Sequence, residues 1–137
     1  MNEQLGDYEA GTKISVPIVP PFAFPRHVGM LTCWETPQGE LLILTTTVKR
    51  GVHLTTVREF ADGQQIRVDG YPGTLEPNVV MQRGYNIIGT PYSKMNCDEL
   101  VEYAHGRKVR SEQVEAVVGW AVAGALVWLG AKALSKA

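Results

Sequence analysis

The chain has 137 residues, of which 45% are hydrophobic and 20% are charged, an ordinary composition for one globular domain with a real core. The formal net charge of −1 excludes a global electrostatic attraction to nucleic acid or to an anionic membrane, so any such binding would have to be local. The first seven residues carry no apolar run, so we expect no signal peptide, a cytoplasmic location and free thiols at Cys33 and Cys97.

Residues 1–25 are predicted to be a proline-rich N-terminal segment. Proline fixes φ and removes a backbone donor, so residues 16–25 should run extended rather than helical. The apolar residues Ile18, Val19, Phe22 and Phe24 indicate that this segment packs along the domain.

Residues 26–115 are predicted to form the main domain, which begins with strands. Alternating apolar residues after His27, and β-rich runs over 41–48, 52–60 and 64–68, predict an antiparallel meander. The glycines and prolines of 69–77 predict a loop, and 78–83 a short helical turn.

A helix is predicted to begin at Cys97, because Asn96 is a good N-cap and Glu99 completes a capping box. Gly106 should end that helix, and Ser111 should open a second one that continues into an apolar C-terminal helix over 116–137. We therefore expect an α+β fold with a four- to five-stranded antiparallel sheet packed on the Cys97 helix.

Cys97 is the candidate nucleophile of the chain. At the first turn of a helix, unpaired N–H groups and the positive dipole end favour a thiolate, whereas the neighbouring Asp98 and Glu99 disfavour it. His27 would supply an imidazole if its strand and the Cys97 helix pack face to face. Taken singly, a helix-start cysteine is more often a small buried residue, and a strand histidine is more often just polar.

Two segments resemble the lecithin retinol acyltransferase-like proteins, a circularly permuted branch of the NlpC-type cysteine peptidase fold. Arg26–Met30 (RHVGM) is similar to their histidine box, and Asn96–Val101 (NCDELV) to their Asn-Cys box. The match continues through Tyr103–Gly106 and Arg110–Val114. It is loose over residues 27–35 and better over 82–129.

The resemblance implies that Cys97 attacks an acyl ester to form a thioester, that His27 is the general base and that Asn96 positions the sulfur. The family orients its histidine with a second polar residue, and that position falls on Ile43 or Leu44 here. His53 on the next strand is a candidate substitute, and a partly exposed strand histidine without that role is an equally supported interpretation of it. Without an orienting group a catalytic triad loses much of its rate.

This eroded pattern resembles the H-box/NC type 2A proteins of picornaviruses in size and order of elements. That resemblance implies a role in viral RNA replication and host interaction, with viral and host proteins as partners and catalysis weak or lost. An active cysteine acyltransferase or phospholipase on lipid esters is the alternative. No cofactor is expected.

The uncharged run over 116–131 is just short of the roughly twenty residues that span a bilayer. Trp120 and Trp128 lie eight residues apart, on nearly the same helical face, and are predicted membrane or oligomer anchors. Association with intracellular membranes, and packing on the protein or in a homo-oligomer, both stay open.

Other sites have weaker support. Cys33 is predicted to be a buried core thiol, and His105 a favourable positive charge at a helix C-terminus. No metal-ligand spacing is present. RNA binding has only Arg107–Arg110 and Lys49–Arg50 to support it, without aromatic residues to stack on bases.

Overall fold

The computed structural model describes residues 2–20 and 25–107. Its elements, in chain order, are a 3-10 helix over Asn2–Asp7 and then β1 (Lys13–Pro17), β2 (Arg26–Glu35), β3 (Leu41–Thr47), β4 (Gly51–Thr56), α1 (Val57–Ala61), β5 (Arg67–Gly70), α2 (Pro77–Asn86) and α3 (Cys97–Ala104).

The strands form one five-stranded antiparallel sheet in the order β4-β3-β2-β1-β5. The expected α+β class and antiparallel sheet are confirmed. The predicted meander holds for β2, β3 and β4 but is wrong for the last strand. After β4 the chain crosses to the opposite edge, where Ile14 of β1 pairs with Val68 of β5.

Strand β1 comes from the proline-rich segment, but only Val16 and Pro17 of the predicted extended run over 16–25 belong to it, and residues 18–20 bend and turn. Ile14 and Val16 are buried, and Pro17 is the last residue of the strand. Ile18 and Val19 are about half exposed, so the expectation that they pack along the domain is wrong. Residues 22 and 24 lie outside the described residues.

The predicted third strand over 52–60 is wrong beyond Thr56, where the chain turns into α1. The Thr56 side chain accepts a hydrogen bond from the Glu59 N–H and so caps this helix. Asp62 ends it in the left-handed conformation at φ 47°. The predicted fourth strand over 64–68 occurs instead as β5, three residues later at its start.

Helix α2 is longer than the predicted turn. Pro77 begins it, and Gly84 lets it approach the sheet closely, since a Cβ there would lie 2.8 Å from Leu44 Cδ2. Helix α3 begins as predicted, with the Asn96 and Glu99 capping box formed. Pro77 and Asn96 thus suit the starts of α2 and α3, and Gly84 suits the close packing of α2 on the sheet.

The sheet carries a separate apolar core on each face. One core joins Val28, Met30 and Leu44 to α2 and α3, and the other joins Leu31, Ile43 and Phe60 to the 3-10 helix and α1. Side chains of neighbouring strand residues point to opposite faces of a sheet. Successive residues of β2 therefore contribute to different cores.

None of the helices in residues 2–20 and 25–107 is long and apolar enough to cross a membrane. The predicted helix from Ser111, with Trp120 and Trp128, lies outside the described residues. The boundaries proposed for the three segments (1–25, 26–115 and 116–137) stay predictions.

Candidate thiol site at the start of α3

Cys97 is the first residue of α3, and local hydrogen bonds hold this helix end. Asn96 Oδ1 accepts from the Glu99 N–H at 3.0 Å, while Glu99 Oε1 accepts from the Asn96 N–H at 3.0 Å. Two otherwise unpaired helix-start donors are thereby satisfied. Asn96 is in place to position Cys97, as its capping role requires.

The Cys97 thiol is buried, with 7% of the residue exposed. Burial, followed by the negative charge of Asp98, raises the pKa of Cys97 to about 11. Hydrogen bonds from the backbone N–H groups of Val28, Asp98 and Cys97 itself favour the thiolate, but they do not offset these two effects. The helix-start stabilisation expected from the sequence exists, and burial outweighs it.

The sulfur contacts the sheet at the end of the β2–β3 ladder, where side-chain hydrogen bonds replace backbone ones. The ladder begins at Gly29 opposite Thr45. One residue earlier, the Val28 N–H donates to Cys97, and the Val28 carbonyl accepts from Thr45 Oγ1 at 2.8 Å. Two side chains thus satisfy backbone groups of Val28, which places the thiol at the end of the paired region.

His27 faces the other core. Its ring stacks on Phe60 with 5.0 Å between centroids and 30° between planes. Thr45 Oγ1 lies 3.3 Å from His27 Nε2, and the single hydroxyl hydrogen of Thr45 is used on the Val28 carbonyl. The imidazole Nε2 is therefore the donor in this pair, which leaves Nδ1 as an acceptor.

The structure does not bring His27 and Cys97 into contact. Val28 belongs to the Cys97 core, whereas the neighbouring His27 packs on Phe60 across the sheet. Within residues 2–20 and 25–107, no hydrogen bond joins the imidazole to the thiol. The nucleophile and base roles stay predictions, and this arrangement lacks the contact that they require.

Burial, with a smaller effect of nearby His53, lowers the pKa of His27. His53 pairs with Thr45 across β3 and β4 and so lies on the His27 face. Its Nδ1 donates to the Gly51 carbonyl at 2.7 Å. The side chain that contacts His27 Nε2 is Thr45, one residue beyond the positions considered from the sequence.

Tyr92 is a second residue that the sequence did not single out. Burial raises its pKa, as do electrostatic interactions with Cys97, Asp98 and Glu99. Tyr92 also lines a cavity together with His27. Tyr92 is therefore near Cys97 and also lines the cavity of His27, and no sequence pattern marked it.

Two secondary predictions are wrong. Cys33 is exposed, next to an irregularity in the β2–β3 pairing between Leu31 and Glu35. Both cysteines are free thiols, as expected. His105 is buried, and burial lowers its pKa, so it is not a helix-terminal charge. Its Nε2 donates to the Gly11 carbonyl at 2.7 Å, which ties the end of α3 to the N-terminal segment.

No cluster of three or more histidine, cysteine, aspartate or glutamate side chains suited to a metal ion occurs in the part of the chain that the structure describes. Comparison with protein-family models, with curated proteins and with solved structures gives no match for this chain.

Proposed function

We propose that this chain is a viral non-structural protein of the picornavirus H-box/NC 2A type, acting in RNA replication and host interaction. Its scaffold would be the permuted NlpC-type fold of the lecithin retinol acyltransferase group, with catalysis weak or lost. The observation that carries the second part is the buried Cys97 thiol, with a pKa of about 11 and no imidazole beside it.

A cysteine nucleophile reacts as its thiolate. With a pKa of about 11, roughly one Cys97 in ten thousand is ionised at pH 7. Catalytic cysteines raise that fraction by an adjacent base, and His27 is turned toward Phe60 instead. A helix-start thiol that is not activated supports a binding role over acyl transfer.

The identification rests on the order of elements. A histidine strand precedes a helix that begins at an Asn-Cys pair, and the α3 helix packs on the face of an antiparallel sheet. Location in the host cytoplasm at intracellular membranes, homo-oligomer formation and partner proteins of viral and host origin belong to the same proposal.

The test is the pH dependence of iodoacetamide alkylation at Cys97, read by mass spectrometry. Exposed Cys33 is the internal control in the same molecule. We expect Cys97 to react far more slowly than Cys33 at neutral pH, and to be indifferent to His27→Ala. A Cys97 pKa well below the free-thiol value that rises in His27→Ala would overturn the proposal.

An active thiol acyltransferase or phospholipase on lipid esters is the second candidate. Three backbone N–H groups on the sulfur and the Thr45 hydroxyl on His27 favour it, because both are features of an assembled thiol site. Turnover of short-chain lipid esters that disappears in Cys97→Ala would establish it.

A further inference from the structure

A cavity of about 480 Å³ lies between α1 and the end of the sheet, on the His27 face. His27 and Phe60, which stack on each other, both line it. Val16, Pro17 and Ile18 of the β1 end supply an apolar wall. The cavity therefore has a flat aromatic surface next to aliphatic side chains.

The charged groups of this cavity are acidic. Glu59 and Asp62 line it, and neither forms an ion pair within residues 2–20 and 25–107. Of the two oxygens of Glu59, Oε1 accepts from Thr56 Oγ1 at 3.3 Å and Oε2 is unused. Lys49 and Arg50 line the neighbouring groove instead. A cationic group entering the cavity would meet two carboxylates, of which Glu59 also interacts with His53.

One further polar group faces the cavity without a partner. His27 donates from Nε2 to Thr45, so its Nδ1 is an acceptor without a partner among the described residues. Thr46 lines the cavity only along the strand, because it pairs with Val52 and its buried side chain lies on the Cys97 face. The free acceptor of His27 suits a ligand that brings N–H donors.

We infer that this cavity binds an arginine side chain of a partner protein. The aliphatic stem would lie along Val16 and Ile18, and the guanidinium would meet Glu59 and Asp62. Arginine fits better than lysine because its planar fork carries five donors, stacks on aromatic rings and is more weakly hydrated. The inference rests on the proposed interaction role, since it names the chemistry of the partner.

The test is a titration of the ¹⁵N-labelled full chain with Nα-acetyl-arginine amide, followed by NMR. The neutral isostere Nα-acetyl-citrulline amide is the matched control ligand. We expect saturable chemical-shift changes at the backbone amides of Thr46, Phe60 and Asp62, with a dissociation constant in the millimolar range. The dissociation constant of the citrulline ligand should be higher by at least about fivefold. Scattered shifts, or equal shifts with both ligands, would overturn the inference.

Protein variants provide the second arm. Glu59→Gln and Asp62→Asn should each weaken arginine binding by about twofold to fivefold, since exposed charge pairs contribute modestly. Both keep the local structure, because Gln retains the capping oxygen and Asn tolerates a positive φ. Glu40→Gln, which removes an exposed carboxylate that lines another groove, should have no effect. Equal binding in all three variants contradicts the inference.

The two proposals fail separately. If Cys97 is unreactive and the cavity does not bind arginine, the interaction role is still supported and the arginine site is contradicted. A reactive, His27-dependent Cys97 would overturn the interaction role whatever the cavity binds.

Discussion

The two faces of β2 differ in chemistry, although the residues that represent them, His27 and Val28, are neighbours in the chain. On one face, Val28 adjoins a buried thiol under α2 and α3, while on the other His27 lies against Phe60 and an open cavity. The thiol is held in its neutral form by burial, and the imidazole is accessible through the cavity. A histidine and a cysteine in the right sequence order are therefore insufficient for a catalytic pair, because strand parity decides which face each occupies.

The largest expected effect on stability comes from truncating a core side chain on either face of the sheet. Leu100→Ala should lower the free energy of unfolding by about 2–5 kcal/mol, and Phe60→Ala by about 3–5 kcal/mol, because each truncates a buried side chain. Urea denaturation measures both losses.

The two variants should differ at the thiol. Leu100 lies one turn from Cys97, so Leu100→Ala should speed Cys97 alkylation by roughly tenfold or more through local opening of α3. Phe60→Ala should instead change the NMR signals of His27. Equal acceleration of Cys97 in both variants would mean that the two faces are not independent.

The next effect is the alkaline limb of stability, which belongs to the Cys97 face. The native pKa of about 11 lies above the ordinary value of 9.0, so the native state retains a proton that the unfolded chain loses. Stability is full below pH 9 and falls by about 2–3 kcal/mol as pH rises toward 11. Urea denaturation at pH 8 to 11 should show this limb, and it should shrink in Cys97→Ala. Its persistence in that variant would assign it to another group.

Neighbouring threonines sharpen the comparison at the junction between the faces. Thr45→Val removes the hydroxyl that serves both the Val28 carbonyl and His27 Nε2, so we expect a loss of about 1–3 kcal/mol. Thr46→Val is the matched control, since its hydroxyl has no partner among the residues that the structure describes and its removal should be neutral or stabilising. Denaturant midpoints measure both. An equal loss in the two variants would show that the Thr45 hydrogen bonds are not what stabilises the junction.

Local features of this fold were predictable from the sequence, and long-range ones were not. The Asn96 and Glu99 capping box involves residues three apart, so its residue types alone predict the start of α3. The alternation along β2 likewise separates His27 from Val28. Which face α3 covers depends on packing between residues about seventy positions apart, and no local pattern encodes it.

The same reasoning explains the other misses. Burial of Cys97 follows from α3 packing on the sheet, and this reverses the thiol pKa shift that the helix start alone predicts. The position of β5 beside β1 depends on a strand that the prolines of the N-terminal segment disguised. The Thr45 contact was missed because the orienting position was counted along a hairpin whose register the turn alone does not determine.

The smallest effect is the acid limb, which belongs in part to the His27 face. Burial, followed by the charge of His53, lowers the pKa of His27, so the native state binds a proton less readily than the unfolded chain. Stability is full above the ordinary value of 6.5 and is lost as pH falls through the lowered native pKa. Burial lowers the pKa values of His53 and His105 as well, so all three histidines contribute with the same sign.

His27→Gln should make the acid limb shallower while leaving the alkaline limb of Cys97 unchanged, because the two groups face different cores. Urea denaturation between pH 5 and 10 measures both limbs in one series, and NMR titration of the imidazole signals assigns the histidine share. If His27→Gln also shifted the alkaline limb, the imidazole and the thiol would be electrostatically coupled across β2. The separation of the two faces would then be incomplete, and the catalytic pairing of His27 with Cys97 would regain its physical basis.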